Sequence, residues 1–203
     1  MGRANSWLSS SLSFSGRLQL TLSSLFSILV FWCSTLMLLV AIMKECEAIL
    51  RRFLWHGNGN YKKGGELAWN KVCRPKEEGG LGIKSTRAWN FAAILKHGWE
   101  ICHKKKSVWT DWCYEVLLKE ENFWHISVRS NCFWSWRKIL QCRRILAQNL
   151  LYEVKNGKRF SLWFDPWLLG ESITDKFGMR VIQDSGIPRE ARVCRVIRDR
   201  QWV

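Results

Sequence analysis

Residues 18–43 form the longest uncharged stretch of the chain, 26 positions in all, and from residue 25 onward only Ser27, Ser34 and Thr35 interrupt its apolar run. Length and apolar character qualify it as a membrane-spanning helix, and Lys44, Arg51 and Arg52 would then put its C-terminal side in the cytoplasm. A cleaved leader fits worse, because the run is too long and no small-residue cleavage pattern ends it. The alternative is a pair of buried helices broken near residues 33–35. Beyond it, Ile49, Arg52, Phe53 and Trp55 recur at helical spacing, which predicts a helix over residues 44–55 ended by Gly57.

Trp89, Ala92, Ala93, Leu95 and Trp99 predict a second helix over residues 88–103. Gly98 weakens it by about 1 kcal/mol relative to alanine. Residues 134–144 read as a basic amphipathic helix. Two short apolar runs, 152–154 and 159–164, flank Asn156-Gly157 and predict a β-hairpin. Pro188 can open a last helix carrying Arg189, Arg192, Arg195 and Arg198 at three-residue steps. Glycines at 57, 59, 64, 65, 79, 80 and 82 mark turns. The fold class expected is mainly α with a small β-hairpin, in three regions. These are a helical region 1–57 containing the uncharged run, a Trp-rich helical connector 58–150, and a hairpin with an Arg-rich end over 151–203. No internal repeat is present.

Charge changes the picture. The chain carries 32 Lys and Arg against 17 Asp and Glu, a net +15, and all but Arg3 and Arg17 of these charges lie beyond residue 43. A body this basic attracts polyanions, either nucleic acid or an anionic membrane surface. Its 14 tryptophans can fill a core or stack on bases, and the count alone does not choose. The eight cysteines include no C-x-x-C pair, and none combines with His56, His97, His103 or His125 in a zinc-ligand spacing. They read as reduced, mostly buried thiols of an intracellular protein.

Catalytic chemistry finds little support. Two-metal phosphoryl transfer needs clustered carboxylates. The five aspartates, Asp111, Asp165, Asp175, Asp184 and Asp199, are scattered, and none follows tyrosine in a Y-x-D-D pattern. Residues 78–82 match no phosphate-binding glycine loop, and no nucleophile or zinc-protease motif occurs. No catalytic residue, metal site or cofactor is expected.

The order of several motifs carries more information than any one of them. Leu12-Ser13-Phe14-Ser15-Gly16-Arg17-Leu18-Gln19-Leu20 resembles the "LSxAGRxxLI" segment of plant-type LINE (non-LTR) retrotransposon reverse transcriptases. Phe53-Leu54-Trp55-His56-Gly57 is similar to their "FLWxG". Ala68-Trp69-Asn70-Lys71-Val72-Cys73-Arg74-Pro75-Lys76, with Glu78-Gly79-Gly80-Leu81-Gly82-Ile83, resembles their "WxxVCxPKxxGGLGI". Trp89-Asn90, Leu95-Lys96, Asn156-Gly157, Trp163-Phe164-Asp165-Pro166-Trp167-Leu168 and Asp184-Ser185-Gly186-Ile187 continue the series. The resemblance covers nearly the whole chain. It implies a fragment of the thumb and connector, between the polymerase palm and the downstream zinc-binding-like and RNase H-like regions. The family's catalytic aspartates map to no residue here. Leu38-Leu39-Val40-Ala41-Ile42 stands where the family has "LPxxV", and that drift accounts for much of the membrane-like run.

The function expected from all this is a catalytically incomplete fragment holding RNA or DNA non-specifically through phosphates and stacking. Candidate phosphate-binding residues are Arg17, Lys62, Lys63, Lys104, Lys105, Lys106, Arg137, Lys138, Arg143 and Arg144. Remaining parts of a parent polyprotein are possible partners, and the expected location is nuclear or cytoplasmic. Two rivals differ in class: a single-pass membrane protein with a basic cytoplasmic tail, and an inert relic reading frame.

Overall fold

The computed structural model describes residues 12–36, 38–57, 67–198 and 201–202. It is mainly helical, and the chain divides into two compact units, residues 1–94 and 95–203.

In the first unit, α1 runs from Phe14 to Thr35. Ser13 caps its start, accepting from the Gly16 N–H at 3.2 Å. A widened, π-type turn at Thr21–Leu25 interrupts its regular geometry. Its hydroxyls are satisfied on the helix itself: Thr21, Ser23, Ser27 and Thr35 each donate to the carbonyl four residues back. This lets polar residues sit in an apolar helix without a solvent partner. The chain breaks after Thr35 and resumes as α2, Val40–His56. The uncharged run is therefore two helices with a break between them.

Gly57, at φ 70°, stops α2 where the spacing predicts. Phe26, Leu29 and Cys33 of α1 meet Leu50 and Leu54 of α2 in one apolar cluster with Trp69, Val72 and Ile83. The steps of three, four and seven residues are those of a buried helical stripe.

A short helix, α3 at Trp69–Val72, leads into the Cys73–Ile83 turn. Here glycine is required by close approach as well as by dihedral. A Cβ on Gly80 would lie 2.0 Å from the Arg74 carbonyl oxygen, and Gly79 sits at φ 78°. Backbone bonds from Gly80 to Pro75, Leu81 to Val72 and Gly82 to Arg74 close the turn. It delivers Ile83 into the core with no exposed surface. The glycine-rich motif is thus a packing device.

Helix α4, Thr86–Cys102, carries Asn90, which is only 1% exposed. Its amide Nδ2 donates to the carbonyls of Cys33 and Leu36, both at 2.9 Å, and its Oδ1 accepts from the Leu38 N–H at 3.3 Å. One side chain therefore satisfies the backbone groups freed at the α1–α2 break.

In the second unit, the later part of α4 is followed by α5, Val108–Trp112, which continues as a π-type turn over Cys113–Leu118. Two short helices follow, α6 at Trp134–Gln141 and α7 at Arg143–Asn149. The single basic helix expected over 134–144 is thus divided at Cys142. Gly98 is the close-packing point: a Cβ there would meet the Leu146 Cδ1 at 2.4 Å. The glycine that weakens α4 is what admits Leu146. Two further turns of helix, α8 at Ile173–Phe177 and α9 at Arg180–Ser185, pack with Leu162, Trp163, Phe164 and Ala191 in a second apolar cluster.

The hairpin expected around Asn156-Gly157 is not seen. Residues 160–162 pair instead with 191–193: Leu162 N–H donates to Ala191, Val193 N–H to Phe160, and Ser161 bridges Arg192. Gly157 lies so close to Cys194 that a Cβ would stand 2.4 Å from its nitrogen. A distant segment has taken the place of the local partner strand, as sheet pairing permits. The expected last helix is also absent as such. Val193–Val196 is a single 3-10 turn, and it leads into a two-residue antiparallel ladder, β1 at Ile197–Arg198 with β2 at Gln201–Trp202.

Candidate nucleic-acid interface

The candidate cations divide by what already holds them. In the first unit, the Arg17 guanidinium donates to the carbonyls of Leu12 at 2.6 Å, Leu54 at 2.9 Å and Trp55 at 3.4 Å. It caps the C-terminal end of α2, where a positive charge is favoured. Arg143 is likewise committed, its Nη1 donating to Phe123, Trp124 and Ile126 carbonyls at 2.8–3.0 Å and its Nε to Leu140. Burial pushes its pKa down from the ordinary value. Lys62 and Lys63 lie outside the described residues.

The other candidates reach solvent. Lys105 pairs at 2.8 Å with Glu100, which is buried to 8% exposure. Burial works to raise the Glu100 pKa, but the bond and charge of Lys105, with Lys96 and His97, carry it below the usual carboxylate value. Lys106 and Arg144 are exposed. Lys104 is exposed in the left-handed region at φ 48°, with its ammonium 5.4 Å from the Tyr114 ring. Lys138 lies 4.6 Å over the exposed Trp134 ring, and Arg137 donates to the Ser130 carbonyl. Lys104, Lys105 and Lys106 thus share one helix end, and Arg137 and Lys138 share one helix.

The same unit carries a row of rings that charge counting alone does not find. His97, Trp109, Trp112 and Phe133 follow one another at centroid spacings of 5.7, 5.5 and 6.0 Å. Trp112 is 39% exposed, Phe133 41% and Trp134 45%. Trp99, 43% exposed, stacks on His103 at 4.0 Å. Solvent-facing indole and phenyl rings next to lysine and arginine are the components of a stacking surface for unpaired bases. The sequence signal was the alternation of Trp with basic residues over 134–138, and α5 adds its members only once folded.

The motif tryptophans do different work. Trp163 Nε1 donates to the Pro188 carbonyl and Trp167 Nε1 to Leu162, each at 2.9 Å. Asp165 between them accepts from Asn122 Nδ2 on one oxygen and the Ser161 N–H on the other, both at 2.8 Å. These residues build the fold.

The chain also resembles known proteins. At 34% identity over 179 residues it is similar to an Arabidopsis thaliana protein described as "putative ribonuclease H protein". That similarity takes in 85% of this chain and 28% of the relative, so the chain spans under a third of that protein's length. At 26% identity over 132 residues it is similar to an uncharacterized mitochondrial protein of the same plant, covering 64% of this chain and 86% of that protein. No protein-family model matches, and no solved structure matches.

Proposed function

We propose that this chain is a retroelement-derived fragment, related to the thumb and connector of a non-LTR reverse transcriptase, that binds single-stranded nucleic acid without base readout. Motif order and similarity to a protein whose name includes ribonuclease H support the origin. The observation that carries the activity is Lys138 lying over the exposed Trp134 ring, next in the chain to the exposed Phe133, in a unit that also exposes Lys104 and Lys106 at one helix end. Cations bind phosphates, and rings stack on bases of any identity. No polymerase or nuclease chemistry belongs to this reading, because the sequence supplies no carboxylate cluster.

Fluorescence anisotropy with random RNA and DNA oligomers tests it. Log affinity should fall linearly with log salt, with a slope of about −0.7 per neutralised phosphate on single strands. Replacing Lys104, Lys105 and Lys106 together with alanine should make that slope shallower by about 0.7 for each phosphate that the variant no longer neutralises. No binding at low salt by the folded chain, or binding indifferent to salt, would sink the reading.

One observation favours a second reading. Helix α1 is 22 residues long and apolar enough to cross a membrane by length and composition, and only 17% of its most apolar window is buried. Phe31, Trp32, Leu36, Leu39 and Val40 are each 48–61% exposed about the α1–α2 break. On the first reading, the protein expressed in cells should leave membranes on alkaline extraction. Retention, together with glycosylation of an acceptor site placed before α1, would favour the membrane protein.

A further inference from the structure

A cavity of about 710 Å³ opens within the second unit, and of the candidate cations only Lys104 lines it. Phe164, 8% exposed, backs one wall, and the exposed His125 ring stacks on it at 4.4 Å and 28°, presenting its own face to the space. The Arg189 guanidinium lies 5.3 Å from the same phenyl ring and donates to His125 Nε2 at 2.9 Å. Arg159, Arg192 and Lys104 also line the space. Arg159 spends one donor on the His103 carbonyl and Arg192 one on that of Lys158. A guanidinium has five N–H donors in a planar fork, so each keeps donors for a phosphate.

The backbone at this cavity is unusual. Four described non-glycine residues have positive φ, and three of them, Lys104, Lys119 and Glu120, line it. Each such conformation costs on the order of 1–3 kcal/mol and would be relaxed by glycine. Glu120, Glu121, Asp165 and Glu190 stand on the same lining. Their charge opposes a long phosphate backbone, so the cavity suits a ligand with one phosphate. Its volume lies in the range of roughly 300–1,000 Å³ usual for small-ligand sites.

We infer that this cavity seats a single nucleotide, its base against the His125–Phe164 pair and its phosphate among Arg159, Arg189 and Arg192. The inference rests on the nucleic-acid reading above and gives that surface a discrete site, where one nucleotide of a bound strand can be lodged. Guanidinium and imidazole on an aromatic wall recognise a flat base, and spare arginine donors recognise the phosphate.

Adenosine monophosphate, adenosine and inorganic phosphate, titrated separately into the full chain by calorimetry, provide the test. The monophosphate should bind saturably with a Kd of about 1 mM or tighter, and more tightly than either part. Arg189→Ala and His125→Ala, both at exposed positions, should each weaken it by about tenfold with the circular dichroism spectrum preserved. Lys71→Ala in the other unit should leave it unchanged. Absence of saturable binding by folded protein, binding untouched by both variants, or inorganic phosphate binding as tightly as the monophosphate would overturn the inference. Oligonucleotide binding measured in parallel separates the two ideas. Oligomer binding without monophosphate binding sinks only the cavity site, and the converse sinks only the strand-binding reading.

Discussion

Asn90→Ala should cost residues 1–94 about 3–5 kcal/mol, the largest effect expected of any polar substitution in that unit. The side chain is almost fully buried and meets three backbone groups, the carbonyls of Cys33 and Leu36 and the N–H of Leu38. Alanine leaves all three without that partner at a helix break, and an unmet buried polar group costs about 1–3 kcal/mol. Asn90→Leu restores volume but none of the bonds, so it should fail nearly as badly. Since a domain holds only about 5–15 kcal/mol in reserve, either variant removes a large share. Urea unfolding followed by tryptophan fluorescence measures it. A loss below about 1 kcal/mol would show that water replaces the amide at no great cost.

The second large effect belongs to Asp165. Asp165→Ala should destabilise residues 95–203 by about 2–4 kcal/mol, because Asn122 Nδ2 and the Ser161 N–H both lose their acceptor. Asp165→Asn should cost less, about 1 kcal/mol, but not zero. Asparagine has one acceptor oxygen where the two donors meet different carboxylate oxygens, and Asn122 cannot turn to help because its Oδ1 already accepts from the Trp124 N–H. The two carboxamides would then oppose N–H to N–H.

pH distinguishes these variants further. Burial raises the Asp165 pKa above its ordinary value of 3.8, against the opposing pull of the Asn122 and Ser161 bonds and of Lys104. A carboxyl raised on folding favours the folded state below its unfolded pKa, and that contribution fades as pH climbs through the folded one. Wild type should therefore gain on Asp165→Asn as pH drops from neutral through this raised pKa. Denaturation midpoints of the two proteins across that window check the sign, and a constant difference would contradict it.

Helix α2 and helix α4 were legible because a 3.6-residue period and the stop at Gly57 are local signals. The break between α1 and α2 was legible too, within a few residues. What holds it was not: Asn90 lies more than 50 positions away, and nothing near residue 36 names it. The hairpin expectation failed for the same reason, since the partner of residues 160–162 comes from 191–193. For the site, sequence supplied the charge but not its commitments. Arg17 and Arg143 count equally with Lys106 in a tally of cations, yet their guanidinium groups are turned onto carbonyls. Nor could spacing foretell that His125, Arg159 and Arg189 would share a cavity, because they meet only across 64 residues of chain.

Arg17 joins the beginning of one helix to the end of the next, through Leu12, Leu54 and Trp55. Helix ends ordinarily fray one by one, at little free-energy cost, while their middles stay closed. Here the two ends share one guanidinium, so loosening either withdraws a bond partner from the other. The first turn of α1 and the last of α2 should thus open as one event. Their amides would exchange hydrogen at a common rate, although almost 40 residues separate them along the chain.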